Sequence, residues 1–371
     1  MPTKIRTFDF SLLVLPIIFT TVGVSLIYSL VMGTANDGLG LKQGMIAIVG
    51  LAMMLVFSFS DYRYFKGTAW IFYAVSLILL VWVYIFGKSV NGAMNWIDLK
   101  IFRLQPSELE KISLIFTLSA YFSNKTNKIK WQHILVSLLI LLVPLALILL
   151  EPDLGTAIII CFIYITILLA SKPTKSQIAV IVGVVLAIFI CAFLAFKGTK
   201  PFQNVLHDYQ RQRIAVFLKP DLDPYGRGYN VKQAQITIGS GNLIGKGLGK
   251  GSQSQLQFLP EAHTDFIFAG IAESFGFLGT SVFLVLYCFL LTRILEIGAR
   301  ARDNFGMLCA FGVFGMFFFQ ALISVGMNIG FLPVTGIPLP FMSYGGTSLL
   351  VSMMAVGLIQ SVFIRHEKIT F

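Results

Sequence analysis

The chain has 371 residues, 56% of them hydrophobic and only 12% charged, with 28 Lys and Arg against 17 Asp and Glu for a net charge of +11. A soluble domain carries about 25% charged residues, so this composition excludes a water-soluble globule and makes the bilayer the natural solvent. The basic residues fall between apolar runs rather than in a stripe with interleaved aromatics, which argues against a nucleic-acid surface. Cys161, Cys191, Cys288 and Cys309 all sit in apolar runs outside any C-x-x-C pair, so neither a zinc site nor a disulfide framework is indicated.

Lys4 and Arg6 precede the first apolar run, 10–32. It is too long for the apolar region of a signal peptide and lacks a clear cleavage site, so it reads as an uncleaved first span. A spanning helix needs about 20 mostly apolar residues. Runs at 10–31, 43–60, 69–86, 107–122, 132–150, 154–171, 177–196, 265–292, 305–329 and 343–364 predict an all-α polytopic membrane protein of about ten helices. The fourth is the weakest, because Glu108, Glu110 and Lys111 crowd its start. Residues 197–264, between the seventh and eighth spans, are polar and glycine-rich and hold no span. A long connection in a chain of short ones is usually functional or disordered, and its aromatic and Val/Ile content argues against simple disorder. No sequence repeat or second soluble domain is visible, so 1–371 reads as one membrane domain.

With ten spans both termini share a side. If that side is cytoplasmic, the inside segments carry fourteen Lys and Arg, among them Lys4, Arg6, Arg63, Lys66, Arg293 and Arg365. The short outside loops carry only Lys42, Lys88, Lys100 and Arg103. The positive-inside rule therefore predicts cytoplasmic termini in an inner membrane and an extracytoplasmic 197–264 loop.

Charge near a helix centre costs ~2.5–3.5 kcal/mol on insertion scales, so charged groups at span mouths are the first candidates for chemistry. Three clusters fall on the predicted outer side. In Gln105-Pro106-Ser107-Glu108-Leu109-Glu110-Lys111, Ser107 and Glu110 fit a capping box. Capping does not explain Lys111, which the helix dipole disfavours. Glu108 and Lys111 share a face at i, i+3, and a pair facing a wet cavity accounts for both. In Glu151-Pro152-Asp153-Leu154-Gly155-Thr156, proline fits the first helical position and the acids its positive end; an anionic rim near a substrate or cation is the alternative. The third, Phe258-Leu259-Pro260-Glu261-Ala262-His263-Thr264-Asp265-Phe266, re-enters the membrane. Thr264 is the expected cap, leaving Asp265 as an ionised acid at the membrane mouth with a helix behind it. His263 could take protons too, although a loop histidine more often positions its neighbours.

Residues 239–251 are glycine-rich with Lys246 and Lys250, but they match neither nucleotide-binding pattern. Exposed backbone N–H groups and two lysines would suit a diphosphate; a flexible linker is the alternative. Arg211 and Arg213 lie upstream. The stretch GFLPVTGIPLPFMSYGG, residues 330–346, interrupts two apolar spans. Irregular backbone at membrane depth is tolerated only where it is buried or lines a cavity, so this is a predicted cavity wall.

Taken in order, QPSELEK, EPDLGT, FLPEAHTDFIFA and GIPLPFMSYGGTSL resemble the SEDS family of peptidoglycan polymerases (shape, elongation, division and sporulation) over essentially the whole chain. The loop, with Tyr229-Asn230 and Gly245-Lys246-Gly247, looks more like the family's elongation member than its division member. One departure is that Glu273 is followed by Ser274, where the family usually pairs two glutamates. That weakens any role requiring both acids. The resemblance implies a glycosyltransferase that polymerises lipid II into glycan strands. It implies as partners a class B penicillin-binding protein, other elongation-complex membrane proteins and membrane lipid. It also implies that Asp265 matches the family's essential aspartate.

The residues suit that chemistry. A glycosidase usually needs one acid to protonate a poor leaving group and a second carboxylate. A diphosphate leaves without that acid and needs positive charge instead, so one base for the sugar hydroxyl suffices. Asp265 is the candidate base, with Arg211, Arg213, Lys246, Lys250 and Lys111 as candidates for the diphosphates and Glu108 and His263 beside them. A divalent cation, Mg or Mn, near Asp265 could take part of that task, and the sequence leaves this open. A lipid II flippase and a scaffold for other wall enzymes are the rival readings. A flippase needs a site near the midplane, whereas these acids gather at the outer mouths.

Overall fold

A computed structural model describes residues 8–34, 37–90, 93–98, 103–125, 129–196, 208–256 and 258–365; Lys4, Arg6 and Lys100 lie outside the described residues. Asp9 caps α1 (Phe10–Val31) by accepting from Ser11 N and Leu12 N. Leu12, Leu15, Phe19, Leu26 and Leu30 are buried, at spacings of three, four, seven and four. Phe10, Val14, Ile18 and Tyr28 are exposed on the other side. Nearly every α1 residue is apolar, so the inward face follows from packing rather than from polarity.

α2 (Leu39–Phe59) and α3 (Tyr62–Phe86) start four and seven residues earlier than the apolar runs. Asp61 caps α3 through Arg63 N, and long basic side chains at a span end keep their heads in water. A small sheet then departs from the all-helical expectation. Strands β1 (Lys88–Val90), β2 (Ala93–Asp98) and β3 (Arg103–Leu104) pair antiparallel in that order, with Lys88 opposite Trp96 and Ile97 opposite Leu104.

α4 (Pro106–Ser123) is the central helix: sixteen of its eighteen residues are buried. Its neighbours are α3, α6 (Leu154–Ala170), α12 (Asn304–Asn328) and α13 (Gly346–Ile364). This is why the weakest hydropathy signal belongs to the most enclosed helix. A helix wrapped by protein can carry Ser, Thr and charge if they are bonded: Thr117 Oγ1 donates to Ser113 O at 2.9 Å, and Ser113 Oγ lies 3.0 Å from Ser76 Oγ. α5 (Trp131–Leu150) and α7 (Lys175–Phe196) complete the helices before the long connection.

The long connection is built, not slack. It holds α8 (Asp208–Leu218), a single 3-10 turn (Pro220–Leu222), α9 (Arg227–Ser240) and α10 (Ser252–Gln255) before α11 (Ile267–Ala299). α11 breaks at Gly276 (φ 66°, ψ −171°), a conformation for which glycine is suited. Backbone groups freed at a break inside a bilayer must be paired again. Here the connection does so: Lys246 N donates to Glu273 O and Gly247 N to Ser274 O, both at 2.9 Å. In return Phe277 N donates to Asn242 O at 2.8 Å and Leu278 N to Leu243 O at 3.0 Å. The strands of chain touch so closely that a Cβ on Gly276 would lie 2.3 Å from Gly245 N.

The described chain ends meet at the opposite end of the bundle from this loop. Arg293 Nε, low on α11, lies 2.6 Å from Asp9 Oδ2, and Arg365 donates to Ser58 O and Phe59 O at the end of α2. Among the described residues, seven helices are long and apolar enough to cross a membrane by length and composition. With α4, α6 and α7, the chain is a polytopic all-α membrane protein, the small sheet apart.

Candidate active site

The three charged clusters converge at one end. Gln105 adopts extended backbone, and Pro106 takes the first helical position of α4, where its missing N–H costs nothing. The expected capping box is absent. Ser107 Oγ donates to Asp153 Oδ2 at 3.3 Å, and Glu110 turns away to accept from Ser76 Oγ at 2.5 Å. Glu108 and Lys111 form the predicted pair, with Nζ 2.6 Å from Oε1 and both side chains under 5% exposed.

Asp153, not Pro152, begins α6. It is the N-cap, accepting from Thr156 N at 3.0 Å and Thr156 Oγ1 at 2.8 Å. It also accepts from Gln105 Nε2 at 3.1 Å, which ties the starts of α4 and α6 together. These bonds commit Asp153 to holding the site. Glu151 is 2% exposed, and neither of its oxygens has a hydrogen-bond partner among the described residues. Burial, reinforced by Asp153, pushes its carboxyl up to about 8.

Thr264 does not cap α11. Its hydroxyl bonds Glu261 O at 3.2 Å and Glu261 Oε2 at 3.0 Å, and the N-cap is Phe266. Asp265 therefore stands just outside the helix, in a turn. Burial, then the nearby Glu261, push its carboxyl up to about 6, against the opposing pull of Arg213.

Asp265, Glu108, Lys111 and Arg213 line one cavity of about 310 Å³, with Asn95, Trp96, Gln105, Asp153, Glu261 and residues 335–338. Gly336 holds φ +77°, and a Cβ there would sit 3.5 Å from Asp265 Oδ2. The irregular 330–345 stretch thus supplies the predicted wall. The starts of α4, α6 and α11 all point here, and helix N-termini favour anions.

Other candidates stand elsewhere. Arg211 is two residues from Arg213 on α8, a spacing that cannot present both to one side, and it is not on the cavity wall. Lys246 Nζ is spent on Glu273 Oε1 at 2.9 Å and on Ser240 Oγ and Ser252 Oγ at 2.8 Å. Lys250 is exposed and off the wall. His263 packs near the Tyr344 ring, and burial pushes its pKa down against the pull of Glu261, which favours the neutral imidazole. Among the described residues no group of three His, Cys, Asp or Glu converges to hold a metal ion. Asn95 and Trp96 escaped the sequence reading, because their strand, AMNWID, has no polar–apolar alternation; Glu261 was quoted in the third cluster without a role.

The family model FTSW_RODA_SPOVE, cell cycle protein, matches residues 7–368. The chain belongs to the FtsW/RodA/SpoVE family. Among family members, the Escherichia coli K12 protein named peptidoglycan glycosyltransferase MrdB is 40% identical over 327 residues, covering 88% of this chain and 85% of that one. Treponema pallidum peptidoglycan glycosyltransferase RodA is 32% identical, covering 98% and 99%. Among solved structures, a chain from work on structural coordination of polymerization and crosslinking by a peptidoglycan synthase complex superposes with a TM-score of 0.81 at 28% identity, covering 97% of this chain and 98% of that one. Thermus thermophilus RodA superposes at 0.69 with 27% identity and 96% coverage of each.

Proposed function

We propose that this chain is a peptidoglycan glycosyltransferase that polymerises lipid II into glycan strands, with Asp265 as general base. Its relatives' names support the activity. The observation that carries the site is the gathering of Asp265 with Lys111 and Arg213 on one cavity. The acceptor sugar hydroxyl attacks the donor's anomeric carbon. Its proton passes to the Asp265 carboxylate, and the bond from that carbon to the diphosphate oxygen breaks. A base with a pKa near 6 is mostly ionised at neutral pH yet still basic enough to accept. The polyprenyl diphosphate leaves with its charge met by Arg213, Lys111 and the helix N-termini.

The membrane is the inner membrane, with both termini cytoplasmic and the cavity outside. The basic end formed by Arg63, Arg293 and Arg365 supports this orientation. The partner is a class B penicillin-binding protein that crosslinks the strands, a reading supported by the similarity to a chain from a synthase complex. The test is lipid II supplied to the purified chain in detergent. Glycan strands from the native sequence and none from Asp265→Asn are expected. Strands from a folded Asp265→Asn variant would sink the base assignment, and no strands from either, with lipid II moving across vesicles, would make the chain a flippase.

A further inference from the structure

The turn that carries Asp265 precedes α11, so no helix holds it. Among the described residues, Glu261 and Arg213 act on its carboxylate through charge. Its position must be set through the backbone. Three consecutive carbonyls of that turn are each taken by a separate donor. His263 O accepts from Tyr344 N at 2.8 Å, Thr264 O from Ser343 Oγ at 2.8 Å, and Asp265 O from Asn328 Nδ2 at 3.0 Å.

Two of these donors are buried side chains with no spare capacity. Asn328, the last residue of α12, is 0% exposed. Its second amide proton goes to Ser324 O at 2.8 Å, and its Oδ1 accepts from Ala269 N at 3.1 Å. Ala269 lies in the first turn of α11, where N–H groups lack a partner four residues back, and it shares its N–H between Asn328 Oδ1 and Phe266 O, each at 3.1 Å. One amide therefore fixes both sides of the joint between turn and helix. Ser343 is 5% exposed and also accepts from Leu339 N at 2.9 Å, which locks the hydroxyl proton toward Thr264 O.

We infer that Asn328 and Ser343 are positioning residues for Asp265, clamping the peptide carbonyls on which its carboxylate is mounted. The inference rests on Asp265 being the base. It follows from geometry: with both clamps in place the turn cannot rotate about its peptides without leaving a buried donor unpaired. Misplacement of a reacting group by about 1 Å can cost about 10²-fold in rate.

The test uses the full chain purified in detergent, with Asn328→Ala, Ser343→Ala and Asp265→Asn compared for thermal melting and for kcat and KM on lipid II. The clamp predicts that kcat falls about 10- to 100-fold at unchanged KM in the Asn328 and Ser343 variants. Ser343→Ala removes one hydroxyl only, so it decides the matter if Asn328→Ala does not fold. Native kcat in a folded variant overturns the clamp, as does a raised KM at constant kcat, which would make the pair a substrate contact. An inactive Asp265→Asn beside fully active clamp variants removes this inference and leaves the base assignment standing. An active Asp265→Asn removes both.

Discussion

Lys111 Nζ lies 2.6 Å from Glu108 Oε1, one turn apart on the most enclosed helix of the bundle. Removing one member of such a pair leaves the other as an uncompensated buried charge, at a cost of about 3–5 kcal/mol. Lys111→Met should therefore lower the melting temperature sharply. Adding Glu108→Met should restore much of it, because two apolar side chains need no partner. Polymerisation should stay lost in the double variant if Lys111 serves the diphosphate; recovery of both properties would make the pair purely structural.

The rate should depend on pH with a known sign. Below pH 6 the Asp265 carboxyl is largely protonated and cannot accept a proton, so kcat/KM should fall about tenfold per pH unit on the acid side and level off above. Glu261 raises this group and Arg213 lowers it. Glu261→Gln should move the acid limb down, and Arg213→Ala should move it up. Limbs that shift the same way in both variants, or not at all, would show that another group controls the profile.

Glu151 predicts a pH effect on stability instead. Its pKa is pushed from an ordinary 4.5 up to about 8, so the folded chain holds a proton that the unfolded chain releases. Its contribution is full below about pH 4.5 and is lost as pH rises through 8. Glu151→Gln keeps the neutral shape and should flatten the decline in melting temperature between pH 5 and 9. An unchanged slope would mean that Glu151 is ionised in the folded state.

Gly276 and Gly183 make a contrast pair. Alanine at Gly276 must adopt φ 66° and would bring its Cβ to 2.3 Å from Gly245 N; with ψ at −171° this essentially glycine-only backbone region costs of order 1–3 kcal/mol. Gly183, inside α7, has nothing within 4 Å, and alanine there should be neutral or gain up to about 1 kcal/mol of helix propensity. Melting curves of the two variants should diverge clearly, with Gly276→Ala the lower.

Much of the fold was legible because long apolar runs have one stable form in a bilayer. The α4 span was harder, since Glu108, Glu110 and Lys111 look wrong until the surrounding helices are present. The Glu108–Lys111 pair could be read from spacing. The caps could not: Ser107 and Thr264 had the right identity, but Asp153, 46 residues away, takes the first hydroxyl and Glu261, three residues back in the same turn, takes the second. Lys246 suited a phosphate by composition, yet Glu273, 27 residues away, claims it. Asn328 gave no signal at all, because its task is defined by a turn some 60 positions earlier in the chain.

The gap in α11 has a consequence for the order of assembly. Its first turns close their backbone account only when residues 242–247 are already seated in the break. Membrane insertion of this helix and folding of the preceding connection cannot then be separate events. They form one cooperative unit, so a local opening of the connection would also free the short helical stub that follows the Asp265 turn, silencing the cavity before the rest of the bundle loosens.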